Sequence, residues 1–218
     1  MNERVAPPAA DRLLTTAKAR LAPSHTALLV IDMQNDFCAR EGYVETVVGR
    51  DAAACRAVVA PIMALVADAR AAGVPVYWIR ANYAPEGLPA GMRVKFAERG
   101  AVCCAPDSWG AAFYEVAPLP GEPIVEKRCY SAFRGTDLDA RLRTVGVRTV
   151  VLAGVQTNIC IESTLRDASS LGFYVAVAKD CVASHSAALH EATLQNAQFV
   201  FGDVLSRQEI AALWRNAG

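Results

Sequence analysis

The chain has 218 residues, 53% of them apolar and 20% charged, with 22 basic and 22 acidic side chains. So much apolar material excludes a disordered chain, and the zero formal net charge argues against a nucleic-acid binder built on a basic surface. A chain of this length buries roughly 70% of its unfolded surface, enough for one sizeable core.

Residues 1–25 read as an arm punctuated by Pro7, Pro8 and Pro23, with a short amphipathic helix over 11–20. It is expected to be a peripheral extension, or else to pack on a neighbouring subunit. Residues 27–32 form a continuous apolar run, the pattern of a strand buried on both faces. A helix is predicted over 51–72, with Pro61 as an internal irregularity and Gly73 as the stop. Residues 75–80 read as a second strand. Residues 83–110 carry no strong period, and a loop that long inside a compact domain is usually functional. Strands follow at 122–127, 148–153, 173–178 and 198–201. Helices are expected from Thr136 to Thr144 with Asp139 in a capping box, over 160–171 with Gly172 as stop, and over 186–196. Ser206 and Glu209 form a capping box for the last helix. Strands alternating with helices imply crossovers and a parallel sheet covered on both faces. No linker or internal repeat divides residues 26–218, so they read as one domain.

The seven cysteines, Cys38, Cys55, Cys103, Cys104, Cys129, Cys160 and Cys181, have no disulfide-framework spacing and no C-x-x-C pair. The three histidines lack the paired spacing of structural zinc. No secretory signal is evident in the first 22 residues, and no run of 18 apolar residues suggests a membrane span. A reducing, cytoplasmic setting is expected.

In an open parallel sheet, ligands sit beyond the carboxyl ends of the strands. Asp32 follows the first strand, Lys127 the third, and the stretch from Gly154 to Cys160 the fourth. A carboxylate, an ammonium and a thiol thus fall on one edge. A thiol at a helix start has its pKa lowered by the dipole and by free N–H groups, which also suit an oxyanion. The competing reading of Cys160 is a small buried hydrophobe. Asp32 is alternatively a loop cap, and Lys127 a solvated strand-end lysine. His185 and His190 follow the fifth strand and leave a Cys–His pair open. The Cys103-Cys104 pair reads as incidental or as part of a lid. Trp78, Tyr83, Trp109, Phe113 and Tyr130 read as core or loop packing. No dinucleotide, phosphate-loop or serine-elbow motif is present.

Three segments, Leu29-Val-Ile-Asp-Met-Gln-Asn-Asp-Phe-Cys38, Glu126-Lys-Arg-Cys-Tyr-Ser-Ala-Phe133 and Gly154-Val-Gln-Thr-Asn-Ile-Cys-Ile-Glu-Ser-Thr-Leu-Arg-Asp167, together resemble the isochorismatase-like cysteine hydrolases. The resemblance runs from about Ala27 to the C-terminus. It implies a three-layer α/β/α domain with a six-stranded, mainly parallel sheet. It also implies a triad of Asp32, Lys127 and Cys160, a cis peptide at Val155–Gln156, and an oxyanion hole from the Ile159 and Cys160 N–H groups. Because isochorismatases proper lack the cysteine, Cys160 implies C–N cleavage. Nicotinamidases usually carry a metal-binding Asp-x-His after the second strand; this chain has Arg80-Ala-Asn82-Tyr83 there, so no metal and no cofactor are expected. Tyr130 to Phe133 and Glu162 to Asp167 are similar to ureidoacrylate amidohydrolases, and Gly42-Tyr43-Val44 to biuret hydrolases. The implied substrate is a small ureido or carbamoyl compound. The implied substrate contacts are Phe37, Asn82, Tyr130, Gln156 and either Gln195 or Gln198. A homodimer or homotetramer is expected, with neither nucleic acid nor membrane as partner. A nicotinamidase-like amidase, and a non-catalytic thiol sensor on the same fold, are the alternatives.

Overall fold

A computed structural model describes residues 13–215. Six strands are present: β1 (Thr26–Ile31), β2 (Val76–Ala81), β3 (Ile124–Lys127), β4 (Thr149–Val155), β5 (Tyr174–Ala183) and β6 (Asp203–Leu205). They form one sheet in the order β3-β2-β1-β4-β5-β6, and every pairing is parallel. β1 and β4 lie at the centre, and all their residues are buried. Their near-continuous apolar runs follow from that position, because helices cover both faces.

Alternate residues of β1 feed two cores. Leu28 and Val30 pack with Ile62, Leu65 and Val66 of the Val59–Ala71 helix and with Ile210 and Trp214 of the Arg207–Arg215 helix. Leu29 and Ile31 pack with Leu138 and Leu142 of the Leu138–Thr144 helix and with Leu165 and Ala168 of the Glu162–Ser170 helix. The side-chain period of two along a strand produces this division, and the result is the expected three-layer architecture.

Several element boundaries differ from the sequence reading for identifiable reasons. The predicted 51–72 helix is two helices, Ala53–Ala57 and Val59–Ala71. Pro61 has no N–H to give to Ala57, and its ring crowds that carbonyl, so the helix breaks there. The 83–110 stretch holds a helix, Ala90–Ala97, which is mostly exposed and therefore lacks an apolar stripe. The sixth strand is Asp203–Leu205, not 198–201, where the chain instead continues from the Ala187–Asn196 helix into a wide turn, Ala197–Phe201. Phe199 and Val200 are apolar but exposed, which misdirects a reading by hydrophobicity. The Ser206 capping box is present: Glu209 accepts from the Ser206 N–H at 2.7 Å and the Glu209 N–H donates to Ser206 Oγ at 3.3 Å.

Of the predicted 11–20 helix, the first two positions lie outside the described residues, and the helix present is Ala17–Arg20. This part of the arm packs on its own chain. The Leu14 N–H donates to the Tyr174 hydroxyl at 2.8 Å, Arg20 pairs with Asp203 at 2.7 Å, and Leu21 is fully buried. No helix among the described residues is long and apolar enough to cross a membrane.

Candidate active site

Strand order reverses between β1 and β4, and a crevice opens at the carboxyl ends of strands where that happens. Asp32 is the residue immediately after β1. Its N–H extends the parallel ladder to Ile79 O at 2.9 Å, and its φ of +55° then turns the chain. The polar residues that follow strap down the segment crossing this edge. Gln34 donates to the Ala81 and Ala111 carbonyls, Asn35 donates to the Trp109 carbonyl at 2.7 Å, and the Asp36 carboxylate accepts the Tyr43 and Cys104 N–H groups.

Lys127 ends β3, two strands from β1, and is fully buried. Its ammonium lies 2.8 Å from Asp32 Oδ2, 3.4 Å from Cys160 Sγ, 3.0 Å from the Cys129 carbonyl and 3.1 Å from the Tyr83 hydroxyl. Cys160 sits in a wide π-type turn, Thr157–Ile161, that joins β4 to the Glu162–Ser170 helix. Such turns interrupt helices frequently at functional sites. The Val155–Gln156 peptide that leads into it is cis.

Burial decides the electrostatics. It pushes the Cys160 thiol up to about 12, and the Asp32 charge adds to this against the pull of Lys127. Burial also raises the Asp32 pKa, with Lys127 opposing. Lys127 is raised although burial alone would lower it, because Asp32 and Cys160 both favour the ammonium. The site at rest is therefore a thiol beside a carboxylate–ammonium pair. The sequence expectation of a lowered thiol pKa is corrected: loss of water and the Asp32 charge raise it. The Asp32 carboxylate is buried, with the Lys127 ammonium and the Cys160 thiol as its polar neighbours.

Cys160 opens onto a cavity of about 180 Å³. Phe37, Tyr83 and Tyr130 form an aromatic wall, with ring centroids 6.3 and 6.4 Å from Tyr83 in edge contacts.

The chain matches the isochorismatase domain over residues 26–209. It belongs to the isochorismatase family. It is 34% identical to ureidoacrylate amidohydrolase RutB of Enterobacter sp. strain 638 over 213 residues, which covers 87% of this chain and 91% of that one. Its structure is similar to a cysteine hydrolase from Pseudomonas syringae pv. phaseolicola 1448A, with a TM-score of 0.83, 29% identity, and coverage of 95% and 100% of the two chains. It is also similar to nicotinamidase PncA from Bacillus subtilis, with a TM-score of 0.70, 25% identity, and coverage of 83% and 99%.

In this isochorismatase-family chain, Asp32, Lys127 and Cys160 converge, and Phe37, Tyr130 and Gln156 line the same cavity. Gln156 Oε1 is held by the His185 N–H at 2.9 Å, and Gln156 Nε2 donates to Cys55 Sγ at 3.4 Å. Three expectations are corrected. Asn82 Nδ2 donates to Glu126 at 2.7 Å, and Asn82 lines a separate cavity with Arg80 and Arg128. Gln198 is exposed, accepts the Val204 N–H at 3.1 Å and lies away from Cys160 with Gln195, because the wide turn at 197–201 replaces the predicted strand. The Ile159 N–H is not a free oxyanion donor: it and the Ile161 N–H both donate to the Gln156 carbonyl, at 3.1 and 3.2 Å, which closes the turn. His185 lines the cavity but pairs with Gln156, and His190 pairs with Thr157, so neither histidine partners Cys160.

Tyr83, which reads from sequence as core or loop packing, and Arg99, which the sequence does not single out, both line the cavity. Tyr83 lies just beyond β2, the neighbour of β1, and its hydroxyl is 3.7 Å from Cys160 Sγ. The strand-edge rule, extended to β2, would have found it. Nothing in sequence places Arg99 on the Cys160 cavity; only the path of the 83–116 segment does.

Proposed function

We propose that the chain is a cysteine-dependent amidohydrolase that cleaves a C–N bond in a small ureido or carbamoyl compound of the biuret, triuret or ureidoacrylate type. The observation that carries this reading is a buried thiol that opens onto a small cavity and is backed by a carboxylate–ammonium pair. The similarity to a protein named ureidoacrylate amidohydrolase supports the ureido class. At about 180 Å³ the cavity falls below the roughly 300–1,000 Å³ of sites for drug-sized ligands, so a compound of few heavy atoms suits it.

Asp32 takes the proton from the Cys160 thiol as sulfur adds to the substrate carbonyl carbon. The Cys160 N–H supports the oxygen as it gains charge. The C–N bond then breaks, and the nitrogen leaves with the proton held on Asp32. Water adds to the thioester-level acyl-enzyme, giving its proton to Asp32. The C–S bond breaks, and that proton returns to sulfur. Lys127 holds the carboxylate and offsets negative charge on sulfur throughout. The Phe37 and Tyr83 rings flank a planar substrate.

The test is ammonia release from biuret, triuret, ureidoacrylate, N-carbamoylsarcosine and nicotinamide, with EDTA present, by wild type and Cys160→Ser. Turnover of a ureido compound by wild type, lost at least about 100-fold in Cys160→Ser, is the expected result. Turnover of nicotinamide alone would shift the assignment to the second reading, a nicotinamidase-like amidase, which the similarity to the Bacillus subtilis enzyme favours. Release from none of them would remove the amidohydrolase assignment.

A further inference from the structure

Two polar groups in the Cys160 cavity take no part in the chemistry above. The first is the Tyr43 hydroxyl. Tyr43 is 5% exposed and lines the cavity, with the Arg99 guanidinium beside its oxygen, and its buried O–H finds no acceptor among the described residues. Buried hydroxyls ordinarily have one. Burial raises the Tyr43 pKa, against the pull of Arg99, so the group stays a donor at neutral pH.

The second is Arg99. The Ala90–Ala97 helix ends in a turn where the Arg99 N–H donates to the Phe96 carbonyl at 3.1 Å, and this turn brings the guanidinium to the cavity beside Tyr43. Among the described residues no Asp or Glu forms an ion pair with Arg99. Asp36, whose charge bears on Tyr43, is occupied by the Tyr43 and Cys104 N–H groups, and Glu45 pairs with Arg56. His185, on the same cavity, is kept neutral by burial and by the charges of Arg50 and Arg99. Among the described residues, no carboxylate lines the cavity. Lys127 is already balanced by Asp32. A permanent cation and a hydroxyl proton without an acceptor therefore face the same small space, with no carboxylate among its lining residues.

The geometry points to an anion subsite in which Arg99 and Tyr43 take the carboxylate of a ureido acid, at the end opposite the carbonyl that Cys160 attacks. This rests on the amidohydrolase reading and narrows it: the substrate is an anionic ureido acid, such as ureidoacrylate, rather than neutral biuret or triuret. A guanidinium and a phenol both donate, so the subsite selects an acceptor and rejects a cation. Arg99 and Tyr43 set specificity; the bond-breaking steps do not pass through them.

The experiment separates binding from turnover. Calorimetric titrations compare ureidoacrylate with its neutral primary amide, in Cys160→Ala and in Cys160→Ala combined with Arg99→Gln, Arg99→Lys or Tyr43→Phe. Cys160→Ala should prefer the acid, and Arg99→Gln should reduce the acid-to-amide preference about 10- to 100-fold, the range for a charge-assisted hydrogen bond. Arg99→Lys should restore part of it, and Tyr43→Phe should weaken it by a smaller factor. Arg99 is exposed, so its replacement leaves the core untouched. An unchanged preference in Arg99→Gln, a parent that favours the amide, or no binding of either compound would overturn the subsite. If the preference behaves as expected but wild type turns over no ureido compound, the subsite stands and the amidohydrolase reading falls.

Discussion

Cys160, Asp32 and Lys127 are ordinary residues made unusual by the loss of water. The Asp32 charge raises the thiol pKa and Lys127 lowers it, with burial the larger cause. Asp32→Asn removes the raising charge and keeps the ammonium, so the thiol pKa falls. Alkylation of Cys160 by iodoacetamide at about pH 7.5 should therefore speed up in Asp32→Asn while turnover drops at least about 100-fold, since the proton acceptor is gone. Peptide mapping would distinguish Cys160 from the other six thiols; slower alkylation would contradict the electrostatic account. The raised Asp32 pKa also sets a pH limb. The reaction needs the carboxylate, and acid removes it at a higher pH than for an unperturbed aspartate, so kcat/KM should begin to fall well above pH ~3.9 as the solution is acidified. A limb at or below that value would mean that Lys127, not burial, governs Asp32.

At the scale of elements, the junction of β1 and β4 carries the site. Ile31, the last residue of β1, pairs with Gly154. Gly154 has a φ of +118°, and a Cβ there would strike the Ile31 backbone. β4 also shifts register against β5 between Leu152 and Gly154. Irregularities of this kind re-aim a strand end beside active sites. Gly154→Ala should cost about 1–3 kcal/mol from backbone strain alone and should also part Asp32 from Cys160. Urea midpoints should drop and turnover should fall together; wild-type values for both would show that the close approach is not needed. The polar residues after β1 act at this scale too. Gln34, Asn35 and Asp36 read as a motif beside the reacting groups, yet their hydrogen bonds go to the backbone of residues 43, 81, 104, 109 and 111. Their work is to hold the crossing segment that supplies the cavity roof.

Across the whole molecule, one sheet separates two cores that share β1, β2, β4 and β5. A strand buried on both faces cannot lose one core and keep the other, so the described residues should unfold as a unit. The three tryptophans report on different parts: Trp78 on β2, Trp109 on the crossing segment and Trp214 on the C-terminal helix. Urea transitions followed by far-ultraviolet circular dichroism and by the fluorescence of single-tryptophan variants should coincide. Separate midpoints for Trp109 and Trp214 would show that the crossing segment opens independently.

The alternation of apolar strands with helices, and the placement of Asp32, Lys127 and Cys160 at strand ends, were legible in the chain alone, because strand and helix periods and buried strand runs are local properties. The wide turn at 157–161, the helix at 90–97 and the true sixth strand were not. Each depends on what a distant segment covers, and local hydrophobicity misreports such places. Sequence spacing also offered no reason for Asn82 to face Glu126 rather than Cys160, or for Arg99 to arrive beside Tyr43. Those outcomes belong to the folded chain. Side-chain types and local periods set which chemistry is possible and where the strands run. Burial set the state of the thiol, and the path of one long crossing segment set which residues face it, because both are sums over neighbours far apart in sequence.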